Sequence, residues 1–123
     1  LEKNIIMLGF KKDFLDYMAV SDMLIHPSLT EASNSVVKEM ALMNKPVAVC
    51  KGVGDFSDYI INEQNSFLFN AETLEIEIEN IIRNAYDNKD KLKKFGLKLN
   101  KVVKLKFNKS EKIVSMHLKL NKK

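Results

Sequence analysis

A single cysteine, Cys50, occurs in the 123 residues, so no disulfide can form within the chain. A reducing, cytoplasmic setting fits that usage, and the fold must be held by its core. No apolar run approaches the roughly 20 residues that a membrane span requires. The opening LEKNIIMLGFKK lacks the basic, apolar, small-residue order of a secretory signal. Leu1 stands where an initiator methionine is usual, which reads as a fragment or a trimmed product. Internal repeats and low-complexity linkers are also missing. What is present is ordinary for one globular domain with a modest core: 46% hydrophobic and 29% charged residues.

The net charge of +4 conceals two halves of opposite sign. Residues 1–86 carry 7 Lys/Arg against 13 Asp/Glu, and residues 87–123 carry 13 Lys against 3 Asp/Glu. Basic character belongs to the C-terminal stretch, so a domain-wide nucleic-acid surface is not expected. That stretch also lacks the interleaved aromatics that stack on bases. The division suggests a sheet-containing part over 1–86 and a basic helical segment over 87–123 packing on it.

Four short apolar runs read as strands: residues 5–8, 23–26, 47–50 and 67–69. They are continuous rather than alternating, as expected for parallel strands covered on both faces. Helical spacing appears between them, first at Phe14, Leu15, Met18 and Ala19, then at Val36, Val37, Met40, Ala41 and Met43. Asn44 suits the left-handed end of that second helix. Gly52 and Gly54 mark a loop, and residues 56–61 suggest one or two helical turns. Beyond Glu72 the pattern is helical: Leu74, Ile78, Ile81, Ile82 and Ala85, then Leu92, Phe95, Leu99, Val102 and Val103. Ser110 could cap a last helix carrying Ile113, Val114 and Leu118. The alternation predicts an α/β fold, a Rossmann-like parallel sheet with helices on both faces, ending in C-terminal helices.

The stretch HPSLTEASNSVVKEMALMNKPVAVC, residues 26–50, carries most of the chemistry. It begins at a strand end, where open α/β sheets bind ligands. The second helix begins near Ser33, Asn34 and Ser35, good capping residues whose first-turn amides can hold an anion. Glu39 lies about a turn inside, where a carboxylate can accept from a ribose diol. Glu31, ahead of the helix, can accept from hydroxyls of a group beyond the phosphates. Ribose, phosphate and a hydroxyl-rich group together describe a nucleotide sugar. Spacing alone fits ordinary helix capping equally well. His26 alone reads as a loop residue rather than a catalyst, and Cys50 as a small buried hydrophobe.

The ordered set of segments resembles the C-terminal, nucleotide-sugar-binding domain of the group 1 (family four) glycosyltransferases, retaining enzymes of GT-B fold. NIIMLGF is similar to the family's strand ending in Leu/Gly, and DFLDYMAVSDMLIHPS to its helix and following strand. TEASNSVVKEMALMNKPVAV resembles the signature of two glutamates, with seven residues between them, ahead of a Pro-Val turn. VGDFSDYI, NEQNSFLFN and KFNKSEKIV resemble later segments. The resemblance implies that Glu39 binds ribose hydroxyls. It implies that Glu31 contacts the donor sugar and takes part in catalysis. Ser33, Asn34 and Ser35 would hold the diphosphate or sugar. The donor is a nucleoside-diphosphate sugar, with no other cofactor and no obligatory metal. Departures are Ala32 and Ser66 where Gly is usual, Met40 for Ala, Asn44 for Gly and Asp58 for Glu.

The family's acceptor-binding N-terminal domain has no counterpart here, nor do the first two strands of the donor domain with their basic phosphate partners. The run 5–8 would neighbour one of those strands. The expected function is therefore the donor-side part of a glycosyltransferase acting on a saccharide or lipid-linked acceptor, as in polysaccharide biosynthesis. The chain alone is expected to be inactive. An alternative is a non-catalytic module, self-associating through an unpaired strand edge into a homo-oligomer or binding a partner. A third element is peripheral contact of the Lys-rich segment with the inner face of a membrane.

Overall fold

The computed structural model describes residues 2–107. Its regular elements are α1 (Phe14–Val20), β1 (Leu24–His26), α2 (Ser35–Leu42), β2 (Val47–Cys50), β3 (Phe67–Phe69), α3 (Leu74–Asp87) and α4 (Lys89–Lys106). Single 3-10 turns occupy Glu2–Asn4, Phe56–Asp58 and Ala71–Thr73. The strands form one parallel sheet in the order β1-β2-β3, with Leu24 opposite Val47 and Ala48 opposite Phe67.

The two faces of β2 build two cores. Side chains alternate across a strand. Val47 and Val49 join Val37, Met40, Ala41, Phe56, Tyr59, Ile60, Leu99 and Val103 in one cluster. Ala48 and Cys50 join Phe67, Phe69, Ile81, Ala85, Leu92 and Phe95 in the other. Every β2 residue is buried, and helices cover both faces, as the unbroken apolar runs predict. Each large side chain removed from water contributes about 1.5–3 kcal/mol.

Helix α4 contributes to both clusters, Leu92 and Phe95 on one side of the sheet, Leu99 and Val103 on the other. It can do so because Gly96 lets it approach the α2–β2 turn. A Cβ built on Gly96 would lie 1.9 Å from the Asn44 carbonyl oxygen. Asn44 itself has φ 60, the left-handed helix end expected of it. One turn further along α4, the Asn100 amide donates to the carbonyls of Ala41 and Leu42 at 3.1 and 3.2 Å. Leu42 belongs to the last turn of α2, whose carbonyls lack intrahelical partners, and the Ala41 carbonyl also accepts from the Asn44 N–H.

The expected strand at residues 5–8 does not form. These residues follow the Glu2–Asn4 turn as irregular chain, and Ile5, Ile6 and Met7 are 61, 79 and 90% exposed. The reason lies in pairing: a strand needs a neighbour for its backbone groups. Among the described residues the far edge of β1 has none, and residues 5–8 do not supply one. The predicted last helix, capped by Ser110 and carrying Ile113, Val114 and Leu118, lies outside the described residues.

Candidate functional site

Strand β1 ends at His26, and Pro27 begins the loop that leads to α2. Of the three candidate caps, Asn34 takes the position. Its backbone is extended, and its side-chain oxygen accepts from the Val37 N–H at 3.1 Å. That bond fixes the amide orientation, so Nδ2 points its hydrogens the other way. Nδ2 lies 3.2 Å from Glu31 Oε1 and 3.2 Å from His26 Nε2. His26 Nε2 is closer still to Glu31 Oε1, at 2.8 Å. With Asn34 Nδ2 a donor only, the consistent arrangement has Nε2–H also donating to the carboxylate. Glu31 Oε1 thus takes two donors. The His26 bond chiefly, with those from Ser28 and Asn34, holds the Glu31 carboxyl below its usual range. Behind them, the His26 ring meets the buried Phe56 edge-on, with centroids 6.3 Å apart.

A second cluster closes the site from the glycine loop. Ser33 Oγ donates to Asp55 Oδ2 at 3.0 Å, and Lys38 Nζ pairs with the same oxygen at 2.9 Å. Lys38 also bonds to the Ser33 hydroxyl and stands 4.2 Å from the Phe107 ring centroid. Gly54, at φ 53, lets the 51–55 loop lie against the Glu31 loop. A Cβ there would come within 3.1 Å of the Glu31 carbonyl oxygen and 3.2 Å of that of Ala32. Tyr59 packs beneath. Burial first, then the charges of Asp55 and Asp58, push its phenol above the usual range.

The structure therefore brings Glu31 and Asn34 into one hydrogen-bonded group and ties Ser33 into the adjoining one. Ser35 opens α2 and is exposed. Glu39 lies in the same helix but is only 2% exposed. Lys38 and Asp55 are participants that sequence reasoning passed over, while His26 reads in the sequence only as a loop residue and Gly54 only as marking a loop. The resemblance of VGDFSDYI to a family loop was the one signal for Asp55. Among the described residues no group of three or more His, Cys, Asp or Glu could hold a metal ion. A broad depression of about 680 Å³ lies over α3, lined by Leu74, Ile78, Ile82 and Tyr86 among others. None of its lining residues belongs to the strand-end cluster.

The sequence profile described as "Glycosyl transferases group 1" matches residues 1–88. No curated protein matches the chain. Among solved structures, HepE from Anabaena in complex with UDP is 24% identical, with a TM-score of 0.75. The alignment covers 97% of this chain and 33% of HepE. HepE with UDP and glucose superposes with a TM-score of 0.77, again at 24% identity and over the same shares of each chain. Sucrose-phosphate synthase from Thermosynechococcus elongatus is 19% identical with a TM-score of 0.68, over 85% of this chain and 26% of the synthase. The chain thus spans about a third of HepE and about a quarter of the synthase. At these identities the likeness shows the fold, and it is the parallel α/β arrangement expected from the sequence. With the profile covering most of its length, the chain belongs to the group 1 glycosyl transferases.

Proposed function

We propose that this chain is the nucleotide-sugar-binding side of a glycosyltransferase that moves a sugar, with retention of configuration, to a saccharide or lipid-linked acceptor in polysaccharide biosynthesis. The observation that carries this reading is the His26–Glu31–Asn34 group at the carboxyl end of a parallel strand, beside the start of α2. Ligands of open α/β sheets gather there, and first-turn amides favour a diphosphate. HepE holds UDP, UDP with glucose, and UDP-glucose in its complexes. By analogy the donor here is a nucleoside-diphosphate sugar, with no metal ion required.

In this proposal the backbone amides of Ser33, Asn34 and Ser35 hold the diphosphate or sugar. Glu39 accepts from the ribose hydroxyls, and because it is buried, binding must open access to it. Glu31 faces the transferred sugar. Held ionised by its donors, its carboxylate stabilises positive charge that develops as the bond to the leaving diphosphate breaks. Transfer requires an acceptor-binding half, so the 123-residue chain by itself moves no sugar.

The test separates the two glutamates. Glu39→Gln keeps hydrogen-bonding reach but loses the charge, and should weaken nucleoside-diphosphate binding by about 1–3 kcal/mol. Glu31→Gln should leave that affinity nearly unchanged and lower kcat when the acceptor-binding half is present, because its contact strengthens in the transition state. Parent-like binding and turnover in both variants would refute the assignment. A second reading, a self-associating non-catalytic module, is favoured by two observations: among the described residues β1 has no neighbour on its outer edge, and residues 5–8 expose their apolar side chains. Association of the chain without any nucleotide affinity would select it.

A further inference from the structure

The apolar side of α4 is spent on the two cores: Leu92, Phe95, Leu99 and Val103 are all buried. Its opposite side is chemically uniform. The helix holds eight lysines and one acid, Asp90 in its first turn. Lys89 pairs with Asp22, Lys91 with Glu63, and Lys106 donates to the Asp58 carbonyl. Lys93, Lys94, Lys98 and Lys101 are exposed, and two large apolar side chains stand among them, Leu97 at 53% and Leu105 at 88% exposure. At about 100° per residue, Lys93, Leu97, Lys101, Lys94, Leu105 and Lys98 fall within one arc of roughly 140°. Asp90 shares that angle in the first turn, ahead of Lys93, and from Lys93 to the end of α4 no acidic residue occurs.

We propose that this face of α4 is a docking surface for an anionic lipid bilayer. Two features choose the bilayer over other polyanions. Lysines draw the helix to a negatively charged surface, each adding attraction that salt screens. The two exposed leucines lie eight residues apart, a little over two helical turns, about 80° from one another around the axis and both within the arc. That spacing lets both enter the headgroup–acyl boundary together while the lysine stems snorkel beside them. A nucleic acid would reward aromatic stacking, and the arc has no aromatic residue. The membrane contact is peripheral: no described helix is long and apolar enough to cross a bilayer.

The experiment is co-sedimentation of the whole 123-residue chain with vesicles of phosphatidylcholine alone or mixed with phosphatidylglycerol. We expect binding to the mixed vesicles only, falling as salt is raised. Lys94→Gln/Lys98→Gln/Lys101→Gln, all at exposed positions, should lower partitioning about tenfold or more. Leu97→Ser/Leu105→Ser should lower it about tenfold at unchanged charge. Circular dichroism confirms that each variant stays folded. Failure of the parent to bind either vesicle overturns the proposal. So does a triple lysine variant that binds like the parent, which would assign the attraction to lysines elsewhere. Unchanged binding by the leucine variant, with duplex DNA bound equally well, would mean plain polyanion attraction and also overturns it.

Discussion

Glu31 accepts from His26 and Asn34 on one oxygen, and this pairing governs how the carboxyl titrates. His26 supplies the largest share, so His26→Ala should raise the Glu31 carboxyl back toward its ordinary value of 4.5. Carbon-detected NMR titration of the side chain reads this directly. The sign for stability follows. A carboxyl depressed in the folded state stabilises above its unfolded value and loses that contribution as pH falls through the folded one. The parent should therefore lose stability on acidification below about pH 4.5 more than His26→Ala does. Identical acid limbs would contradict the pairing. The pair itself was not legible in the sequence. A histidine five residues ahead of a glutamate is generic, and only the end of β1 at His26 and the turn back through Pro27 bring them together. Asn34 was legible as one of three caps, because its amide can satisfy the first-turn N–H. The burial of Glu39 was not, since neighbours from other elements cover α2 beyond its apolar stripe.

At the scale of elements, Gly96 carries the contact that fixes α4 across the α2–β2 turn. Alanine is favoured over glycine in a helix by about 1 kcal/mol. Here the added methyl would meet the Asn44 carbonyl at 1.9 Å, inside any allowed contact, and backbone must move. Gly96→Ala should destabilise the fold by about 1–3 kcal/mol net, the scale of overpacking. Urea denaturation checks it, and a variant as stable as the parent would show that α4 is not held at this turn. Helix α4 was readable from Leu92, Phe95, Leu99 and Val103, because helical period reports a buried stripe. Gly96 was not, because a close approach depends on the partner backbone. The same limit explains residues 5–8. Their apolar run resembles a strand as strongly as residues 47–50 do, but a strand is a pairing, and a pairing is invisible in one segment. Residues 47–50 find neighbours on both sides in β1 and β3, and residues 5–8 find none.

At the scale of the molecule, among the described residues the outer edge of β1 is unpaired, and Ile5, Ile6, Met7 and Phe10 expose apolar side chains. Unpaired edges beside apolar chain invite pairing with another molecule. Light scattering should find dimers or larger species at micromolar concentration, reduced by Ile6→Lys/Met7→Lys. A clean monomer throughout that range would contradict this. The order of elements, the parallel sheet and its two covered faces were legible because β2 is a continuous apolar run flanked by two helical periods. The central claim concerns what the carboxyl end of that sheet binds. It is tested most directly by adding UDP, the nucleotide held by HepE, to the isotope-labelled chain and following the backbone amides by NMR. The account predicts saturable shifts concentrated in residues 31–39 and in the 51–55 loop, largely lost in Glu39→Gln. Shifts confined to the lysines of α4, or none up to millimolar nucleotide, would contradict it.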